Sequence, residues 1–275
     1  MSGNEIFHQV ELCGRAKLLS ARYTFDSSKF ETVCHALTEA NRLEAAKEDV
    51  HYHMAVYYDK FIGKNYKESD LDTQGEIPFH VVRSFGLSLV YGCRNIHQSL
   101  PRMISLWLDY GARVASVKEA DRKKEMKVSL SKMNELVLKC AKAWPLYYFL
   151  TVFPLLSSRI CHPQDDVWQV LRSILVEVFA CYPNQVFWQL VAILKSSFKT
   201  RSGRCEEVFR LARQKRPELA AFQEDGRKLA DALQTLADLP ADGGKGSLDA
   251  LMPGMCSFVL IGQVHLSSCY QSQLH

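Results

Sequence analysis

Residues 163–194 read PQDDVWQVLRSILVEVFACYPNQVFWQLVAIL, and this stretch decides the fold. Pro163 followed by Asp165 and Asp166 predicts a helix start: proline loses no useful donor at the first helical position, and carboxylates suit the positive end of the helix dipole. Val170, Ile174, Val178 and Phe179 then recur at helical spacing, and Tyr182-Pro183-Asn184 both ends that helix and starts another. The second helix carries Val186, Phe187, Leu190, Val191, Ile193 and Leu194, apolar on nearly every side, which predicts full burial. Two helices joined by so short a turn must pack as an antiparallel pair.

Outward from this pair the same logic repeats. Phe79, Val82, Phe85, Leu89 and Cys93 line one face; Pro101 is expected to open a helix bearing Ile104, Trp107, Leu108, Gly111 and Val114. Asp121 precedes a charged helix with a narrow stripe of Met126, Leu130, Met133 and Val137, and Pro145 opens an aromatic segment. Further on, Cys205, Val208, Phe209 and Ala212 form a face, and Leu219, Phe222, Leu229, Leu233 and Leu236 form the last convincing one. Helix starts near 79, 101, 121, 145, 164, 184, 202 and 218 recur at about 16 to 24 residues, so pairs recur at about the length of known helical repeats. No alternating strand pattern appears, and about ten helices are expected. The fold class is therefore all-α, an α-solenoid of antiparallel pairs of the TPR or HEAT kind, and Met54-Ala55-Val56-Tyr57-Tyr58 resembles the first helix of a tetratricopeptide repeat.

Residues 1–240 read as one helical-repeat region, interrupted by a polar break from Gly63 to Gly75. Residues 241–275, opened by Gly243, Gly244 and Gly246, read as a linker and a tail without amphipathic logic, disordered or non-native.

Composition agrees with a folded globular chain: 275 residues, 47% hydrophobic and 23% charged, enough to bury a core without staples. The nine cysteines are scattered without a Cys-x-x-Cys pair, which predicts reduced core thiols in a reducing compartment. The most apolar stretch, Trp144 to Leu156, is broken by Pro145 and Pro154 and falls short of the about 20 residues a membrane span needs, so a soluble chain without a membrane partner is expected. A formal charge of +4 names no ligand. Within that balance Lys195, Lys199, Arg201, Arg204, Arg210, Arg213, Lys215 and Arg216 stand against only Glu206 and Glu207, a basic stripe that reads first as a solvated helix face and, as the alternative, as a surface for an acidic partner or nucleic acid. Aromatic side chains do not interleave with it, so no direct nucleic-acid binding is expected.

Catalytic templates fail one by one. Gly86-Leu87-Ser88-Leu89-Val90 begins like a nucleophile elbow but lacks its closing glycine and sits in a helix. Gly244-Lys245-Gly246-Ser247 breaks the Lys-Ser adjacency of a phosphate loop. His51 and His53, two apart on a helix, face apart, whereas a helical metal pair needs four-residue spacing. Cys161-His162 reads as a buried cysteine and a helix-entry histidine. No catalytic, cofactor-binding or metal-binding residue is assigned.

Tyr57-Tyr58-Asp59-Lys60, then Gln98-Ser99-Leu100-Pro101-Arg102-Met103 with Leu106-Trp107-Leu108-Asp109-Tyr110-Gly111, resemble the FAT domain of the phosphatidylinositol-kinase-related protein kinases. Ser158-Arg159-Ile160-Cys161-His162, Tyr182-Pro183 with Trp188, Lys195-Ser196-Ser197 and Arg204-Cys205 extend the resemblance toward the ATR checkpoint branch, from about residue 5 to about residue 240. The resemblance implies a helical-repeat scaffold that clamps the kinase domain of its parent chain. It also implies a parent that uses ATP and Mg²⁺ to phosphorylate Ser or Thr in the nucleus, during DNA-damage checkpoint signalling and repair. An ATR-interacting partner protein and a homodimer of the parent are further implications. The Gly-Asp-Arg-His and Asp-Phe kinase motifs are absent from the 275 residues, which therefore read as a fragment without the kinase domain. The alternative reading is a free-standing TPR-like adaptor that binds peptides.

Overall fold

A computed structural model describes residues 13–21, 30–42, 47–65 and 75–237. Most of the polar break and the expected linker and tail lie outside the described residues. The helices are α1 (13–21), α2 (Phe30–Arg42), α3 (Lys47–Asn65), α4 (Glu76–Tyr91), α5 (Ile96–Ser116), α6 (Ala120–Ala143), α7 (Phe153–Ser158), α8 (Asp165–Cys181), α9 (Pro183–Leu194), α10 (Lys199–Lys215) and α11 (Leu219–Ala237). A 3₁₀ turn over Leu146–Val152 leads into α7. Among the described residues there is no strand, and no helix is long and apolar enough to cross a membrane.

Two compact units divide the chain, Met1–Ala212 and Arg213–His275. In the first, α2 packs on α3, α3 on α4, α4 on α5 and α6, α5 on α6, α6 on α8, and α8 on α7 and α9. Most contacts run between elements close in the chain, the nearest-neighbour pattern of an α-solenoid built from helical repeats. The expected stripe of α6 is buried as a row, Met126, Leu130, Met133 and Val137, with Cys140 continuing it. Phe179 and Phe187 both meet Phe209, with ring centroids 4.9 and 6.1 Å apart, so α10 closes over the α8–α9 pair through the face that its sequence predicts. In the second unit Leu219, Gln223 and Ala230 of α11 are buried, whereas Leu233 is exposed and the side chain of Leu236 lies outside the described set.

Several expectations need correction. Pro101 does not open α5, which begins five residues earlier: the Asn95 carbonyl already accepts the Ser99 N–H at 2.8 Å. The carbonyl that the missing proline N–H would have bonded belongs to exposed His97, where solvent can replace the bond. Pro163 does not occupy the first position of α8 either, because Gln164 stays extended and donates its N–H to Nδ1 of His162 at 3.1 Å. Gly63 and Asn65 belong to the end of α3 and not to a loop.

Full burial of α9 is also overturned. It packs through Val186, Phe187, Leu190, Val191 and Ile193, but Gln185, Trp188, Gln189 and Ala192 face outward. Finally, of the six cysteines whose side chains are described, all free thiols, only Cys140 and Cys205 are buried; Cys13, Cys93, Cys161 and Cys181 are exposed, so Cys161 is no core thiol.

Candidate interaction surface

Several of the residues that carry the family resemblance lie on or around α5 and are spent joining helices. Arg102 of α5 grips Asp59 of α3 with two hydrogen bonds, Nε to Oδ2 and Nη2 to Oδ1, both 2.7 Å. That fork, more than the surrounding charge, raises the guanidinium pKa above its usual value. One turn on, Trp107 is fully buried and donates Nε1–H to Oδ1 of Asn134 in α6 at 2.7 Å. Tyr110 donates to the Met126 carbonyl at 3.4 Å, and Asp109 accepts from Arg159, which caps the end of α7, at 2.9 Å.

At Gly111 α5 lies against Val167 of α8 and against His162. His162, 3% exposed, places Nε2 2.9 Å from the Leu108 carbonyl. Because Nδ1 accepts the Gln164 N–H, Nε2 carries the proton and donates it to that carbonyl. The helix-entry role expected for this histidine is the one it fills. Arg204 completes the corner from α10: Nη1 donates to the carbonyls of Ile160 and His162 at 3.0 and 2.8 Å, and the guanidinium lies 4.6 Å from the centre of the Trp168 ring.

The basic stripe is accordingly not one surface. Arg204 is consumed inside the fold as a clamp on the α7–α8 turn, which removes it from the expected patch. Lys195, Lys199 and Arg210 are exposed, and Arg201 is half-exposed. In the second unit Arg213 donates to Oε1 of Gln223 at 2.7 Å. Glu207 turns toward α8, where it pairs with Arg172.

The expectation that aromatic side chains do not interleave with the cations fails. Phe198, between Lys195 and Lys199, is 72% exposed, and Trp188 is 49% exposed. The only sequence signal was negative: Phe198 belongs to neither the α9 nor the α10 apolar pattern.

Sites singled out by the failed templates are structural in their surroundings. Ser88 is fully buried inside α4. His51 is buried and stacks on Tyr91 with centroids 5.5 Å apart; desolvation, with help from Arg83 and Lys47, lowers its pKa. His53 is half-buried. Among the described residues no group of three or more His, Cys, Asp or Glu side chains could hold a metal ion.

Residues 132–230 match a family model described as serine/threonine-protein kinase ATR-like HEAT repeats. The chain is 30% identical over 234 residues to serine/threonine-protein kinase ATR of Drosophila melanogaster, a match covering 84% of the chain and 9% of the relative. It is 34% identical over 150 residues to protein kinase rad3 of Schizosaccharomyces pombe, covering 52% of the chain and 6% of that protein. Against the ATR kinase of Arabidopsis thaliana the identity is 29% over 187 residues, 60% of the chain and 7% of the relative. The chain thus spans less than a tenth of the length of these relatives.

Proposed function

This chain is an ATR-like helical-repeat segment, and we propose that it serves as a regulatory scaffold of the FAT type within a serine/threonine protein kinase of the DNA-damage checkpoint. In this reading the segment clamps the kinase domain of its parent and offers surface to protein partners, an ATR-interacting protein and a second copy of the parent among them. Phosphoryl transfer, with its ATP and Mg²⁺, belongs to the parent's kinase domain, and the work is nuclear. The carrying observation is the use made of the resemblance residues: Asp59, Arg102, Trp107, Asp109, Gly111, His162 and Arg204 all fix one helix against another. A surface set by rigidly joined helices suits the holding of another domain.

The test is reconstitution. The full transcript is sequenced, the kinase domain encoded in the same reading frame is expressed separately, and its association with this chain is measured by calorimetry and by kinase activity. Binding that changes the kinase rate is expected. A stop codon directly after His275 in the mature transcript, or a kinase domain indifferent to the chain, would overturn the scaffold reading in favour of a free-standing adaptor.

A further inference from the structure

We infer that the outward face of α9 and the turn into α10 form a docking surface for an acidic helical segment of a partner protein that carries a large apolar anchor. The inference goes beyond the scaffold reading and does not depend on it. The surface consists of Trp188, Ala192, Lys195, Phe198, Lys199 and Arg201.

Spacing sets the shape. Trp188, Ala192 and Lys195 stand four and three residues apart, so they form one ridge along the exposed side of α9. Ala192 leaves a notch between the two larger side chains, into which an anchor residue of a partner helix can fit. Phe198 stands just beyond the helix end and is the most exposed large apolar side chain described, at 72%. Its backbone is fixed: the carbonyl accepts the Arg201 and Ser202 N–H groups at 2.9 and 3.1 Å, capping the start of α10. Among the described residues, this fixed backbone leaves the aromatic ring mostly in water.

Charge then selects the partner. From Val178 to Cys205 the sequence contains no Asp or Glu. Where α3, α4, α6 and α8 place acids in their first turns, α10 begins with Lys199 and Arg201, against the preference of its own helix dipole. A purely apolar partner would strip water from Lys199 and Arg201, and a basic partner would be repelled. Acidic side chains flanking the anchor satisfy both the cations and the α10 N–H groups. A nucleic-acid backbone would call for a broader cationic field than a chain of net charge +4 provides, and the ridge has the periodicity of a helix.

The experiment selects a displayed library of amphipathic helical peptides on the full chain and titrates the enriched peptides by tryptophan fluorescence. Trp107, Trp144 and Trp168 are buried, so a change on docking reports Trp188. Enriched peptides are expected to carry Asp or Glu around a Leu, Phe or Trp, and to shift the emission to the blue. Their affinity should fall about tenfold between about 0.05 and about 0.3 M salt. Lys195→Glu with Lys199→Glu should weaken binding about tenfold or more, and Phe198→Ser should also weaken it. These positions are exposed, so the variants keep their helicity by circular dichroism. Failure of any peptide to be enriched, enrichment of neutral or basic peptides, indifference to the charge reversals, or tighter binding of oligothymidylate than of any peptide would each overturn the proposal. None of these results bears on association with a kinase domain, which the reconstitution above measures.

Discussion

At Gly111 an added β-carbon would lie 2.8 Å from Cγ2 of Val167 and 2.9 Å from Cε1 of His162. Neither neighbour can retreat, because His162 is held by hydrogen bonds at both ring nitrogens and Val167 is fully buried. Alanine is the better helix former by about 1 kcal/mol, but overpacking costs about 1–3 kcal/mol, so Gly111→Ala should lower the stability measured by urea denaturation. Gly203, mid-α10, has no atom within 4 Å of its virtual β-carbon, so Gly203→Ala should raise stability by about 0.5–1 kcal/mol. Equal effects at the two glycines would refute the packing described around Gly111.

His51 gives a second expectation at this scale. Its folded pKa lies below its ordinary value, chiefly through desolvation, so the unfolded chain binds the proton more readily. Its stability contribution is therefore complete above the ordinary imidazole pKa and declines as pH falls through the range between the unfolded and folded values. His51→Gln should flatten the fall in urea midpoint between about pH 7 and about pH 5; an unchanged slope would show that His51 does not contribute it.

Between elements, the Asp59–Arg102 fork joins α3 to α5 across 43 residues of sequence, but Arg102 is 46% exposed and solvent discounts the pair. A double-mutant cycle with Asp59→Ala and Arg102→Ala should give a coupling of about 0.5–1 kcal/mol, declining with salt. Arg204 stands apart from Arg210 in the same helix. Arg204→Lys cannot hold two carbonyls and the Trp168 face together, and should cost about 1–3 kcal/mol, whereas Arg210→Lys should be silent by the same denaturation measurement. The sequence does show a stripe of cations; it does not show which of them turns inward, since that depends on carbonyls at Ile160 and His162, more than 40 positions away. The same limit hid the start of α5. Proline is a reliable breaker only when the carbonyl one turn back has no other recourse, and at His97 it has solvent. By contrast the α8–α9 pair was legible because its signals are local: Pro183 at the first position of α9, acids in the first turn of α8, and apolar side chains at helical spacing.

Nearest-neighbour packing gives the first unit a spatial logic that no single helix has. α5 touches α4, α6, α7 and the 3₁₀ turn, while α9 touches α7 and α8 and reaches α10 through Phe187–Phe209 and the Cys205 thiol on the Leu190 carbonyl. Periodicity alone predicts this class of architecture, because each amphipathic face needs a partner and short turns provide only adjacent ones. What periodicity overstates is closure: it predicts full burial of α9, although a helix on the outside of a repeat array must leave one side uncovered, as exposed Trp188 shows. In such an array a defect should spread along the chain and fade. Trp107→Ala, which removes a fully buried ring and its bond to Asn134, should cost about 3–5 kcal/mol and speed amide exchange across α4 to α7. Leu190→Ala should cost about 2–5 kcal/mol and speed exchange in α7, α8, α9 and α10, leaving α3 and α4 at their original rates. Hydrogen exchange read by mass spectrometry resolves these segments. Protection lost uniformly over the first unit in both variants would mean that its helices unfold as one cooperative body, and would remove the mechanical basis for reading the segment as a stack of separable supports.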